Sequence, residues 1–411
     1  MTAADRAGRA VLWLTAQAVV FGIMAALLGI VANAMFLDTY GSEWLPVTYI
    51  AIGLAGVLIS GAVARSARSA ELVPIALAVL GSATVVLAVA WWISRTGDGA
   101  WVSVPLLILF PILIQLGFVF IGGQAGRLLD IAGIKASFPR IVAGFPAGAV
   151  LGGIVGGWLV GWFGRTEDLL LATAIAQGAF AALVWATGRR YAASLGSGND
   201  VHVPAAAAGP DAEGDARPSM RQLFTRRFVV LIFAYQVLSA LASQLADFLV
   251  FDRALAQYPD AADLAGFLAG YTAVMNVVSI AFLFVIAGPL LRRFGLRLGI
   301  TANPLVLTVF AVAMLAVDAA LGAGSFGLLI VVSAARIADI ALTDGTTRTS
   351  INATYQVLPE RIRLAVQAAI EGIGVPVAIG VSGVLIIVLE ALPAAPESTI
   401  VATTITCLVW T

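Results

Sequence analysis

Charge, lysine, histidine and cysteine are all scarce in this chain of 411 residues. Asp, Glu, Lys and Arg make up only 11% of it, less than half the share that a soluble globular protein carries. Lys135 is the sole lysine, Cys407 the sole cysteine and His202 the sole histidine. A single cysteine excludes an internal disulfide framework, and with one histidine it cannot complete a four-ligand zinc site. The lysine stands in Gly133-Ile134-Lys135-Ala136, so the phosphate-cradling Gly-Lys-Ser/Thr loop of nucleotide hydrolases is absent. There is no Gly-x-Ser-x-Gly elbow either, and a Ser-His-Asp triad would have to use His202 in a polar stretch. These absences argue against an enzyme and imply no cofactor and no metal. With a formal net charge of zero, no global field points to nucleic acid as a partner.

What the chain has in abundance is apolar length, since 61% of it is hydrophobic. A helix needs about 20 apolar residues to cross a hydrocarbon core, and lipid offers backbone amides no other partner. Stretches of that kind run over Val11–Val31, Leu45–Ala64, Leu72–Ile93, Val104–Gly123, Ile141–Phe163 and Leu169–Thr187. Others follow at Phe228–Val250, Leu264–Leu290, Leu298–Leu321, Phe326–Leu342 and Val366–Leu389, with a last run from Ser398. The first is too long for a signal-peptide core and reads as a retained span. The last is short, which suggests a twelfth span continuing beyond Thr411.

Basic residues set the expected orientation. Arg95, Arg165 and Arg253 fall on the side opposite the N-terminus and Arg336 falls inside a span. Every other member of the 23 lies on segments that share the N-terminal side. That asymmetry is the positive-inside signature and predicts a cytoplasmic N-terminus, in what the arginine-rich composition suggests is a bacterial inner membrane. The spans also repeat. Helices 1 and 7, 2 and 8, and 5 and 11 start at a nearly constant separation, which predicts a duplicated six-helix unit. The expectation is therefore an all-α membrane protein with twelve transmembrane helices in two pseudo-symmetric six-helix bundles. These are residues 1–188 and 228–411, joined by a cytoplasmic linker over 189–227 with a surface helix near Met220–Arg226.

Three features stand out on this frame. Helix 5 carries Gly144, Gly148, Gly152, Gly153, Gly156, Gly157 and Gly161, and a spacing of four stacks small residues on one face where another helix can approach closely. The loop after helix 8 reads Gly288-Pro289-Leu290-Leu291-Arg292-Arg293-Phe294-Gly295-Leu296-Arg297, a basic turn with glycine at its end. The third feature is ionisable residues inside spans. Helices 1 to 6 hold none centrally, only amides such as Gln17, Asn33, Gln115 and Gln177, whereas the second half holds Asp247, Arg336, Asp339 and Glu371. Arg336 lies about 15 Å into helix 10 at the rise of a helix. A central arginine costs roughly 2.5–3.5 kcal/mol on insertion scales and should face a partner or a wet cavity. Asp339 is three residues on, on the same helical face.

The glycine- and arginine-containing turn after helix 8 and the glycine run of helix 5 resemble signatures of the major facilitator superfamily. Further stretches resemble its nucleotide transporter (ATP/ADP carrier) branch, above all bacterial members fused to HEAT-repeat or cyclic-nucleotide-binding domains. They are Phe36-Leu37-x3-Gly41, Lys135-Ala136-Ser137-Phe138-Pro139-Arg140, Asp247-Phe248-Leu249-Val250-Phe251, and Tyr355-Gln356-Val357-Leu358-Pro359 leading to Ala369-Ile370-Glu371-Gly372. The resemblance implies alternating access and solute contacts from helices 1, 4, 7 and 11. Asp247 and Glu371 carry over by position, whereas the family's lysines do not, helix 1 ending in Asn33-Ala34-Met35-Phe36.

The expected function is secondary transport of a small organic solute, anionic or nucleotide-like. Arg336 would anchor the solute's charge beside Asp339, Asp247 and Glu371 would couple or gate, and Asn33 and Gln244 would add polar contacts. The expected partners are that solute and the lipid bilayer. The alternative is a transport-deficient membrane sensor controlling a cytosolic regulatory domain after Thr411.

Overall fold

The computed structural model describes residues 3–66, 72–97, 99–129, 131–163, 165–192, 227–355, 366, 370–391 and 395–411. Most of the expected linker, with His202 and the surface helix near Met220–Arg226, lies outside the described residues. So do Gln356–Pro359 of the motif after Tyr355 and the side chains of Lys135, Arg140 and Glu371.

Twelve apolar helices succeed one another among the described residues. The first six are α1 (Ala3–Tyr40), α2 (Leu45–Ser66), α3 (Leu72–Thr96), α4 (Ser103–Leu128), α5 (Ile131–Phe163) and α6 (Leu169–Arg190). The rest are α7 (Arg227–Gln257), α8 (Ala261–Ala281), α9 (Gly288–Leu321), α10 (Phe326–Tyr355), α11 (Val375–Glu390) and α12 (Ala395–Trp410). Large apolar side chains face outward along them, among them Leu58, Trp92, Trp162, Phe284 and Val409. Water penalises such a surface and lipid accepts it. The molecule is an all-helical membrane protein.

Packing gathers the helices into two units. One holds α1, α3 to α6 and α8, and the other holds α2, α7 and α9 to α12. Each half read from the chain order thus contributes five helices to one unit and one to the other. Glycine explains both exchanges. In the first unit Gly153 of α5 lies so close to α8 that an added Cβ would stand 2.9 Å from the Ala269 carbonyl oxygen. In the second, a Cβ at Gly53 of α2 would stand 2.7 Å from the Pro376 carbonyl oxygen of α11, and one at Gly383 would overlap that of Pro46.

The glycine face expected on helix 5 meets α1. Gly144, Gly148 and Gly152 rest on the backbone at Thr15, Val19 and Ile23, and Gly22 of α1 answers against Phe145. The close approach lets Phe21 pack edge-on against Phe118, tilted against Phe145 and stacked on Phe180, from three other helices, with ring centroids 5.5, 5.1 and 5.1 Å away.

The turn expected between helices 8 and 9 shrinks to one residue. The chain stays helical through the basic segment and breaks at Gly295, with φ 73° and ψ −175°. Only glycine occupies that region without strain. Gly295→Ala is expected to destabilise the protein by about 1–3 kcal/mol, read as a lower midpoint of thermal unfolding in detergent. An unchanged midpoint would show that the turn relaxes freely.

Two π turns, Phe282–Ala287 after α8 and Thr343–Thr347 inside α10, are features that hydropathy does not announce. They pack on each other, with Gly345 admitting the Phe282 ring where a Cβ would lie 2.6 Å from it. The second lets α10 run on past the expected end at Leu342 as far as Tyr355. Such turns are rare and frequent at functional sites.

Candidate functional site

The ionisable residues of α7 and α10 come together inside the second unit. Ser243 and Asp247 are one turn apart on α7, and Arg336 and Asp339 are three residues apart on α10, so each pair shares a face of its helix. Where the faces meet, Arg336 Nε donates to Asp247 Oδ1 at 2.5 Å and Nη2 donates to Oδ2 at 2.6 Å. This is the two-pronged geometry that guanidinium and carboxylate favour. Arg336 Nη1 donates to Asp339 Oδ2 at 2.5 Å and also to Ser243 Oγ.

Asp339 is the enclosed member, with a side chain 1% exposed. Its Oδ2 accepts from Ser243 at 2.8 Å, while Oδ1 accepts from Asn303 Nδ2 of α9 at 2.9 Å and from Thr343 at 3.4 Å. Asp247 is the open member, 24% exposed against 12% for Arg336. With all three groups ionised, two carboxylates surround one guanidinium and leave one negative charge. Burying such an excess is costly unless a proton or a cation offsets it.

A cavity of about 450 Å³ adjoins the cluster. Gln236, Ser239, Ser243, Thr343, Thr347 and Arg348 supply its polar wall. Ser243 and Thr343 belong to both cluster and cavity, so the cavity reaches two hydroxyls that hold Asp339. The π turn places Thr343 and Thr347 on the cavity side, and Thr347 also donates to the Gly299 carbonyl at 3.3 Å. Ile351 also lines it and belongs to an apolar group with Val229, Ile232, Tyr355, Val366 and Ile370. Arg348 is largely exposed and only loosely paired with Asp344, at 3.4 Å.

The structure therefore unites Asp247, Arg336 and Asp339, and Gln244 follows Ser243 along α7. Arg336, expected to anchor the solute's charge beside Asp339, gives its donors to Asp247, Asp339 and Ser243. Asp247, expected to couple or gate, pairs with Arg336 through both carboxylate oxygens. Asn33 sits in the other unit and is buried, donating to the Gly29 carbonyl of its own helix at 2.7 Å. The side chain of Glu371 lies outside the described residues, although its backbone forms part of a π turn, Ile370–Gly374.

Sequence reading missed three contributors: Ser243, Asn303 and Thr343. Hydroxyls and amides in apolar runs are their only signal. The first unit shows the same pattern without charge. Gln17 donates to Gln124 Oε1 at 2.9 Å and to Thr187 at 2.8 Å, tying α1, α4 and α6.

No family model matches the chain, and no curated protein matches it. Solved structures do. The POT family transporter PepTSo aligns with a TM-score of 0.67 at 12% identity, over 98% of this chain and 95% of its own. A mutant of the nucleoside transporter NupG aligns with a TM-score of 0.63 at 14% identity, over 97% and 98%. A D-xylose-proton symporter aligns with a TM-score of 0.62 at 13% identity, over 97% and 96%. At such identities the likeness is one of architecture, and the architecture is the major facilitator fold.

Proposed function

We propose that this chain is a secondary transporter that moves a small polar solute by alternating access, with the Asp247–Arg336–Asp339 cluster coupling the movement to a proton. The observation that carries the reading is one buried guanidinium clasped by two carboxylates beside a polar cavity. That cluster is one positive charge short of neutrality, and Asp247 is its most accessible acid. Binding a proton there removes the excess charge and weakens the hold on Arg336, which frees α7 and α10 to shift. The similar structures include a nucleoside transporter and a D-xylose–proton symporter, which fits a small polar solute.

An anionic or nucleotide-like solute would take its cation from Arg348 on the cavity wall rather than from Arg336. Gln236, Ser239 and Thr347 offer hydrogen bonds to a base, a sugar or a carboxylate alike. Alternating access would operate between the halves 1–188 and 228–411, in a bacterial cytoplasmic membrane with the N-terminus inside. Asn33 and Glu371 would act on the solute path from helix 1 and from the start of helix 11.

Proteoliposomes carrying the pure protein test this. With an inward proton gradient, the wild type should accumulate one or more members of a panel of nucleosides, nucleotides, sugars and small organic acids. Asp247→Asn should lose the gradient-driven part of that uptake while still exchanging labelled for unlabelled solute. Accumulation by the variant equal to that of the wild type would remove Asp247 from coupling, and no accumulation of any panel member by the wild type would remove transport.

A further inference from the structure

The two ends of the cavity differ in what they offer a solute, and the difference follows from where the hydroxyl protons go. Ser243 and Thr343 stand between the cluster and the cavity. Such a hydroxyl has one proton to give and two lone pairs with which to accept. Ser243 gives its proton to Asp339 Oδ2 at 2.8 Å and accepts from Arg336 Nη1. Thr343 aims its proton at Asp339 Oδ1, 3.4 Å away, and accepts from Asn303 Nδ2 at 2.9 Å. An ionised carboxylate can only accept, so the partner fixes both directions. Each hydroxyl is left with one lone pair and no proton. This end accepts and does not donate.

The other end has the opposite character. Helices α7 and α10 run antiparallel, since Asp247 meets Arg336 while Ser243 meets Asp339. Gln236 precedes Ser243 on α7 and Arg348 follows Thr343 on α10, so both lie toward the same end. Along α7 the rise from Ser243 to Gln236 is about 10 Å. Arg348 brings a charged fork of N–H donors, and Gln236 brings an amide that donates as well as accepts. The excess negative charge of the cluster lies at the accepting end. A solute carboxylate is therefore repelled from Ser243 and drawn to Arg348. None of the described residues lining the cavity is aromatic, so a base finds no ring there to stack on.

We propose that the cavity takes a small hydroxylated carboxylate of the sugar-acid class, its hydroxyls donating to Ser243 and Thr343 and its carboxylate held by Arg348 and Gln236. This names the solute of the transporter proposed above and rests on that reading. A chain of about four to six carbons fills the length once a hydrogen bond of about 3 Å is added at each end. A neutral polyol leaves the arginine without its anion. A fatty acid leaves the lone pairs of Ser243 and Thr343 without donors.

Stabilisation of the pure protein in detergent tests the class without a gradient, because a bound ligand raises the unfolding midpoint. The probes are D-gluconate, D-glucuronate, sorbitol, hexanoate, adenosine and O-methylated gluconate, which keeps the carboxylate but has no hydroxyl to donate. Gluconate or glucuronate should act at concentrations about tenfold or more below those of the other four, the effect of one hydrogen bond or more. In Arg348→Gln the sugar acid should fall to the level of sorbitol. Hexanoate or the methylated acid matching gluconate would overturn the accepting end. Sorbitol matching gluconate, or Arg348→Gln without effect, would overturn the carboxylate end. Adenosine binding as well as gluconate, or no stabilisation by either sugar acid, would overturn the class. Proton-driven uptake of adenosine or sorbitol alone would sink this solute and leave transport standing. Binding of gluconate without uptake of any solute would sink transport and leave the ligand class standing.

Discussion

Arg336→Met is expected to destabilise the protein by about 3–5 kcal/mol and to abolish solute accumulation, because it strands two buried carboxylates. Methionine fills much of the space but donates nothing. Asp339 keeps Ser243, Asn303 and Thr343, whereas Asp247 loses both of its bonds to Arg336. Both acids must then protonate or drag water in, and either route costs stability. The measurement is thermal or denaturant unfolding in detergent beside uptake in proteoliposomes. A third variant separates structure from function: Arg336→Met combined with Asp247→Asn and Asp339→Asn removes all three charges. Neutral replacement of a buried ion cluster is often tolerated, so stability should largely return while proton-driven uptake does not. Full stability in Arg336→Met alone would show that the cluster contributes nothing to the fold. Proton-driven uptake in the triple variant would show that it contributes nothing to coupling.

Gly148→Val is expected to be the most disruptive substitution in the first unit. A Cβ at this position overlaps the Val19 carbonyl oxygen of α1. The obstacle is backbone inside a helix and has no rotamer by which to escape. Gly144 and Gly152 meet α1 in the same way one turn to either side, where an added Cβ would stand 2.9 and 2.7 Å from the Thr15 and Ile23 oxygens, so local relief at one position is blocked by the others. The helices must separate, and the Phe21 group with Phe118, Phe145 and Phe180 then loses its packing. Overpacking in a filled core costs about 1–3 kcal/mol, and this seam should reach the upper end or beyond. Gly161 is the control, because a Cβ there meets nothing within 4 Å. Gly161→Ala should be neutral or stabilising, by up to about 1 kcal/mol from helix propensity. Equal loss of stability in the two variants would mean that glycine acts through helix propensity on α5 rather than through contact with α1.

The contrast between these two glycines shows how far sequence reading reached. A run of small residues four apart announces a face that something will approach. It does not say which helix approaches or which glycines are used, and Gly161 carries the same spacing with no neighbour. The charged residues show the same limit. A lone arginine in an apolar run needs partners, and Asp339 is visible as one because it is three residues away. Asp247 is 89 residues away, and nothing local tells that its side of α7 turns toward α10. Ser243, Asn303 and Thr343 were invisible for another reason, since a hydroxyl or amide in a span is common and usually bonds to its own helix, as Asn33 does to Gly29. The π turn of α10 left no trace in hydropathy, because one extra residue in a turn does not alter the apolar length.

By itself the sequence determined the order of the apolar helices, that they lie in lipid, and that charge inside the spans is confined to a few places in the second half. Those properties follow from transfer free energy and from the need of every backbone amide for a partner, which act residue by residue and are readable along one dimension. Only the tertiary structure decided that Arg336 has two acids rather than one, that a polar cavity opens beside them, and that α2 packs with the second unit and α8 with the first. Each of these depends on the rotation of one helix about its axis relative to another, and that phase is settled by close packing between segments far apart in the chain.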